Sequence, residues 1–142
     1  MAKQPQALGK KVLIIEDDPD VALVLKTLLH SLDVDVHCAE DGLSGIAMAL
    51  KEKPDLALVD IHLPGMNGLE VIRTIRFTPE LKNLPIIVIT GDSTVDYIKE
   101  SARLKVNDFL VKANVLTGAG LDRIEKLLSA GTTSPKKKLA SR

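Results

Sequence analysis

The sequence predicts an α/β domain: a doubly wound, five-stranded parallel sheet in the order 2-1-3-4-5 with helices on both faces. Three observations predict it. Four short apolar runs, at residues 12–15, 56–59, 86–89 and 109–111, are bounded by polar or turn residues, as strands buried on both faces require. Segments with helical spacing of apolar residues alternate with these runs, and parallel strands need such crossover helices. A fifth run, Val34-Asp35-Val36-His37-Cys38, instead alternates apolar and polar residues, which turns one side toward water and places this strand at a sheet edge.

With the second strand at the edge, the arrangement is flavodoxin-like, and ligands in such sheets bind outside the carboxyl ends of the strands, at the switch point between strands 1 and 3. The first strand runs into Glu16-Asp17-Asp18-Pro19-Asp20. Proline is favoured at the first helical position, so Asp18 is expected to cap the first helix and Asp20 to suit its positive first turn. That helix carries Val21, Leu25, Leu28, Leu29 and Leu32 as its apolar stripe; the second is expected to bury Leu43, Ile46, Ala47 and Leu50. Pro64-Gly65-Met66-Asn67-Gly68 reads as a turn that starts the third helix, with Leu69, Ile72 and Ile75 inward and Gly68 allowing backbone to come close. The fourth helix has the sparsest stripe, beginning with Ile98 and Ala102, and is compatible with an element that can shift. The fifth carries Leu121, Ile124, Leu127 and Leu128.

At 142 residues, 45% of them apolar, the chain has the size of one domain with a substantial core. The folded body is expected at 11–130, between a disordered N-terminal tail at 1–10 and a flexible basic C-terminal tail at 131–142. All 19 acidic residues lie between Glu16 and Glu125, against 13 of the 19 basic residues within 11–130, which leaves the body at −6. An acidic body argues against direct nucleic-acid binding. No apolar run approaches a membrane span and Met1-Ala2-Lys3-Gln4-Pro5 lacks the apolar stretch of a secretory signal, so a cytoplasmic protein without membrane insertion is expected. The single cysteine, Cys38, excludes an internal disulfide and a multi-cysteine metal site, and is expected as a small buried hydrophobe.

Chemistry is expected where the strands end. The first strand delivers Glu16 and Asp17, the third Asp60, the fourth Thr90 and the fifth Lys112 to the same rim. Two carboxylates about 5 Å apart repel by roughly 3 kcal/mol at an effective dielectric near 20, so the acids need a partner. Hard carboxylate oxygens in a loose cluster suit Mg²⁺, which keeps waters and commonly shares its site with a phosphate. A carboxylate can also attack phosphorus to give an aspartyl phosphate, and the charge developing on the phosphoryl oxygens is then met by a metal, an ammonium and hydroxyl donors. Asp60 as nucleophile, Glu16 and Asp17 on Mg²⁺, and Lys112 and Thr90 on the phosphoryl oxygens fill these roles.

Four blocks, Ile14-Ile15-Glu16-Asp17-Asp18-Pro19, Leu58-Val59-Asp60-Ile61-His62-Leu63-Pro64-Gly65-Met66-Asn67-Gly68, Ile89-Thr90-Gly91 and Phe109-Leu110-Val111-Lys112, resemble in order and spacing the receiver domain of two-component response regulators, of the chemotaxis-regulator-like single-domain type. The resemblance implies that Asp60 is the phospho-acceptor, supplied by a phosphohistidine on a sensor histidine kinase or a histidine phosphotransfer protein. It implies a domain that catalyses its own Mg²⁺-dependent phosphorylation and dephosphorylation rather than turnover of a small molecule. It makes Asp17 the direct metal ligand and Glu16 a ligand through water, with Asp60 and the backbone carbonyl of His62 completing the set. Thr90 and Lys112 would contact the phosphoryl group, and Phe109 would be the switch aromatic. The face built by the fourth helix, fifth strand and fifth helix would then bind a downstream protein. His62 and Asp92 stand where the family tunes phosphate lifetime.

The family usually has proline after this lysine, joined by a cis bond, where this chain has Lys112-Ala113-Asn114. A cis bond before a non-proline residue costs about 3–4 kcal/mol. Either the loop keeps it under strain or it runs trans with the lysine aimed differently, and residues 115–120 read as a long reshaped connection. Two other functions compete. A receiver-like interaction module that is not phosphorylated and binds partners constitutively is prompted by Lys112-Ala113, against the intact acids and Thr90. A flavin or nucleotide binder lacks a glycine-rich phosphate loop and has too few aromatics, with two Phe and one Tyr. His62, without other histidines at ligand spacing, is expected to offer main chain rather than imidazole. His30 and His37 read as surface or half-buried residues. Tyr97 reads equally as a packed or an exposed contact residue, and Phe109 also has a plain reading as a core aromatic.

Overall fold

The apolar runs form β1 (Lys11–Ile15), β3 (Leu56–Asp60), β4 (Ile86–Thr90) and β5 (Asp108–Val111), and the alternating run forms β2 (Asp35–Ala39), in a computed structural model that describes residues 9–91, 95–116 and 120–132. The strands pair in parallel in the order β2-β1-β3-β4-β5, as expected. Continuous apolar runs are needed because alternate residues feed two separate cores. Leu13, Ile15, Ala57, Val59, Ile86 and Val88 face one side, whereas Val12, Ile14, Leu56, Leu58, Ile87 and Ile89 face the other. Each fully buried Val, Leu or Ile contributes about 1.5–3 kcal/mol, so neither face tolerates a polar residue at these positions.

Six helices stand among the described residues: α1 (Pro19–His30), α2 (Gly42–Glu52), α3 (Gly68–Arg76), α4 (Val95–Arg103), α5 (Lys112–Leu116) and α6 (Leu121–Thr132). Residues of α2 and α3 close the first core together with Tyr97 of α4, while α1, α5 and α6 close the second. One helix more than expected arises because β5 passes directly into α5, where a connection without structure was expected. The tails expected at 1–10 and 131–142 fall mostly outside the described residues, and α6 runs on to Thr132.

Asp18 caps α1 as expected, its Oδ1 accepting from the N–H groups of Asp20 at 2.9 Å and Val21 at 3.5 Å, with Pro19 at the first helical position. The start of α3 is more elaborate than a turn. The Asn67 side chain accepts from the Glu70 N–H and the Glu70 carboxylate accepts from the Asn67 N–H, each at 3.0 Å, so two orphan donors of the helix end are satisfied reciprocally.

Three packing expectations are corrected. Leu43, at 69% exposure, faces solvent with Ala47 and Leu50, and the inward face of α2 is Gly42, Gly45 and Ala49, flanked by half-buried Ile46 and Met48. A Cβ on Gly45 would come within 2.8 Å of the Ile15 Cγ1 atom, so the helix lies too close to β1 for larger residues. Glycine has no side chain for an apolar stripe to register. In α4, Ile98 and Ala102 face outward, and Ser101 is buried with Tyr97 half-buried on the inner side. Cys38 is exposed rather than buried, because β2 is the edge strand and has a neighbour on one side alone.

Candidate functional site

Parallel pairing brings the carboxyl ends of β1, β3, β4 and β5 to one rim. The Glu16 N–H donates to the Ala39 carbonyl at 3.0 Å, continuing the β1–β2 ladder by one residue and fixing Glu16 at the end of β1. Asp60 closes β3, and its partner in β4 is Ile89, so Thr90 stands one position further along the neighbouring strand. Thr90 in turn pairs with Val111, the residue before Lys112. The register therefore places all four strand ends side by side, as the strand assignments require.

Glu16 and Asp60 are buried, at 3% and 2% exposure, while Asp17 reaches solvent. Each of the three acids presents a carboxylate oxygen within 4.8 Å of the others. The Lys112 ammonium lies 3.2 Å from Glu16 Oε1 and 3.3 Å from Asp60 Oδ2. Backbone donors complete the shell: the His62 N–H donates to Asp60 Oδ1 at 3.1 Å and the Asp18 N–H to Glu16 Oε2 at 3.2 Å. Asp18 thus serves the site with its main chain as well as the helix with its side chain.

The charges do not balance. Burial, and then the negative charge of Asp60, push the Glu16 carboxyl from 4.5 up to about 7, against the opposing pull of the Asp18 N–H and Lys112. Burial lowers the Lys112 pKa, but the charges of Asp60 and Glu16, with their hydrogen bonds, outweigh it and leave the pKa raised. Among the described residues one ammonium faces three acids, and buried Glu16 Oε1 has the Lys112 ion pair but no hydrogen bond. A donor set of three hard carboxylates that share a single ammonium among the described residues fits a small divalent cation such as Mg²⁺.

The Lys112–Ala113 bond is trans, since the described residues contain no cis peptide. The lysine still reaches both buried acids because it is the first residue of α5, which packs against α1 with Val115 buried beneath it. This settles the alternative left open by the missing proline.

Other expected residues fall as follows. The His62 ring is turned to the Tyr97 ring, centroids 5.3 Å apart at 80°, and is not part of the acid cluster. Tyr97 therefore packs against the loop that follows Asp60, a contact that links α4 to the site and that neither residue announces in the sequence. Phe109 is half-buried against the same core as Tyr97. His30 is exposed, and half-buried His37 pairs with Asp35 at 3.0 Å. Asp92 lies outside the described residues.

Gly68 positions Asp60 from below. Its N–H donates to the Ile61 carbonyl at 2.8 Å, and a Cβ there would collide with the Asp60 carbonyl oxygen and approach Ile61 Cα to 2.7 Å. Gly68→Ala is therefore expected to cost about 2–3 kcal/mol, read from urea unfolding. An unchanged midpoint would show that α3 can retreat without penalty.

The family model for the response regulator receiver domain matches residues 12–117. Chemotaxis protein CheY-3 of Vibrio cholerae is 35% identical over 103 residues, covering 72% of this chain and 79% of that protein. Among solved structures, the phosphorylated cyanobacterial phytochrome response regulator RcpA superposes with a TM-score of 0.69 at 26% identity, over 85% of this chain and 89% of that one. The Mn²⁺-bound form of response regulator Rcp1 superposes with a TM-score of 0.65 at 28% identity, over 84% of this chain and 89% of that one. Site, fold and relatives agree: the chain belongs to the response regulator receiver domain family.

Proposed function

We propose that this receiver domain accepts a phosphoryl group on Asp60 from a phosphohistidine of a sensor histidine kinase or a histidine phosphotransfer protein. The observation that carries the reading is the Lys112 ammonium 3.3 Å from Asp60 Oδ2 beside the three clustered carboxylates. In the transfer, an Asp60 carboxylate oxygen attacks phosphorus, the donor's P–N bond breaks, and its electron pair returns to the imidazole. Lys112 offsets the charge developing on the phosphoryl oxygens, and the Thr90 hydroxyl donates to one of them. Water later attacks phosphorus and releases phosphate, returning the Asp60 carboxylate. Glu16, Asp17, Asp60 and the His62 backbone carbonyl would hold Mg²⁺, which when bound neutralises phosphoryl charge. That RcpA is solved phosphorylated and Rcp1 with Mn²⁺ supports the reading.

The output follows from the same residues. Thr90 moving onto the phosphoryl group draws its loop inward and Phe109 turns into the space, which reshapes the surface of α4, β5 and α6, the last being the fifth helix expected from sequence. A downstream protein binds that surface. The contact of Tyr97 with His62 supports the link, because it ties α4 to the residue two positions beyond Asp60. His62 and Asp92 set how long the phosphoryl group lasts. No described helix is long and apolar enough to cross a membrane.

Intact-protein mass after incubation with a small phosphoryl donor tests the reading. Wild type with Mg²⁺ is expected to gain the mass of one phosphoryl group, and Asp60→Asn to gain nothing. An unchanged wild-type mass with donor and Mg²⁺ in excess would replace the switch by a constitutive interaction module.

A further inference from the structure

We propose that the end of the domain opposite the carboxylate rim is a docking surface for an acidic protein segment, with Phe77 as the anchor that enters an apolar socket on the partner. The C-terminal ends of α3 and α4 and the turns that lead into β4 and β5 enclose an open cleft of about 470 Å³ there. Phe77, one of two phenylalanines in the chain, closes α3 and stands 80% exposed at the edge of this cleft. Four of the residues around it are cations and none is an acid, in a body whose net charge is −6.

The four cations divide by role. The Arg76 guanidinium donates to the carbonyls of Leu104, Lys82, Leu84 and Lys105 at 2.8–3.1 Å, so it is committed to the fold, tying α3 to both neighbouring turns and covering carbonyls that would otherwise repel an anion. Lys82 and Lys105 are exposed and have no carboxylate partner among the described residues. Arg103 is 76% exposed and touches Glu100 at 3.4 Å, an acid already held by Arg73 at 2.9 Å. Lys105 also adopts φ +59°, where glycine and asparagine are favoured, so a long cation is held at the cleft mouth in an uncommon conformation.

Shape and charge select the occupant. Phe77 lines the cleft yet keeps 80% of its surface exposed, which suits insertion into another protein's surface, where aromatic and arginine anchors dominate interfaces. Lysines on flexible stems match scattered carboxylates better than one phosphate group, which is gripped by convergent rigid donors. The acidic body repels an extended nucleic acid. The partner inferred is a protein segment whose carboxylates flank a small apolar socket.

Fluorescence anisotropy on the full chain with a labelled peptide of alternating glutamate and leucine tests this. Lys82→Glu/Lys105→Glu and Phe77→Ser are each expected to weaken binding about tenfold or more, with thermal unfolding and phosphoryl uptake on Asp60 unchanged. Equal affinity in wild type and both variants would assign binding to lysines elsewhere, such as those at 136–138, and overturn the proposal. Loss with the charge reversal but not with Phe77→Ser would overturn the anchor, and so would tighter binding of adenosine triphosphate or a single-stranded oligonucleotide than of the peptide.

Discussion

Lys112→Ala is expected to slow phosphoryl uptake from a small donor about 10²–10³-fold at saturating Mg²⁺, the loss typical when one preorganised donor to developing negative charge is removed. The magnitude follows from position. Among the described residues Lys112 is the one ammonium paired with Asp60, 3.3 Å from Oδ2, and no second side-chain cation pairs with the acid cluster to take over. The same substitution removes a positive charge from beside the three carboxylates, so Mg²⁺ should bind roughly tenfold more tightly by titration. Slower chemistry with tighter metal separates loss of phosphoryl contact from collapse of the site, which would weaken both. A rate equal to wild type would remove Lys112 from the reaction.

Glu16→Gln is expected to stabilise the metal-free protein by about 2–3 kcal/mol at about pH 8, raising its Tm by roughly 5–10 °C. The sign comes from linkage. A carboxyl raised from 4.5 to about 7 on folding binds more protons in the folded state, so the folded state loses stability as pH rises through that window, and the cost is complete above it. Burial and the Asp60 charge are the cause, and glutamine removes the charge while keeping an acceptor for the Asp18 N–H. The gain should fall to a few tenths of a kcal/mol or less near pH 4 and vanish below it, where the wild-type group becomes neutral in both states, and shrink with saturating Mg²⁺. Calorimetry across pH checks it; a variant less stable than wild type in chelator at about pH 8 would show that the Glu16–Lys112 pair outweighs burial.

Strand order and the gathering of Glu16, Asp17, Asp60, Thr90 and Lys112 at one rim were legible because each rests on a local pattern. A run such as Leu56 to Val59 is buried on both faces wherever it pairs, and Asp60 follows it by one covalent step. The α1 cap was legible for the same reason, Asp18 and Pro19 being neighbours. The inward face of α2 was not, since Gly42 and Gly45 carry no hydropathy and their value lies in how near the backbone comes to Ile15 and Val71. The α3 cap had a visible signal, Asn67 followed three residues later by Glu70, that its glycine-rich setting concealed.

By itself the sequence determined the fold class, the strand order and which side chains meet at the carboxyl ends, because periodicity and covalent adjacency decide these before packing begins. Tertiary structure decided what depends on distance between segments far apart in the chain. It placed Lys112 against Glu16 and Asp60 across a trans bond, set the His62 ring on Tyr97, and gathered Lys82, Arg103 and Lys105 around Phe77. Charge and contact act through space over a few ångströms, and for these groups the folded chain alone supplies that proximity.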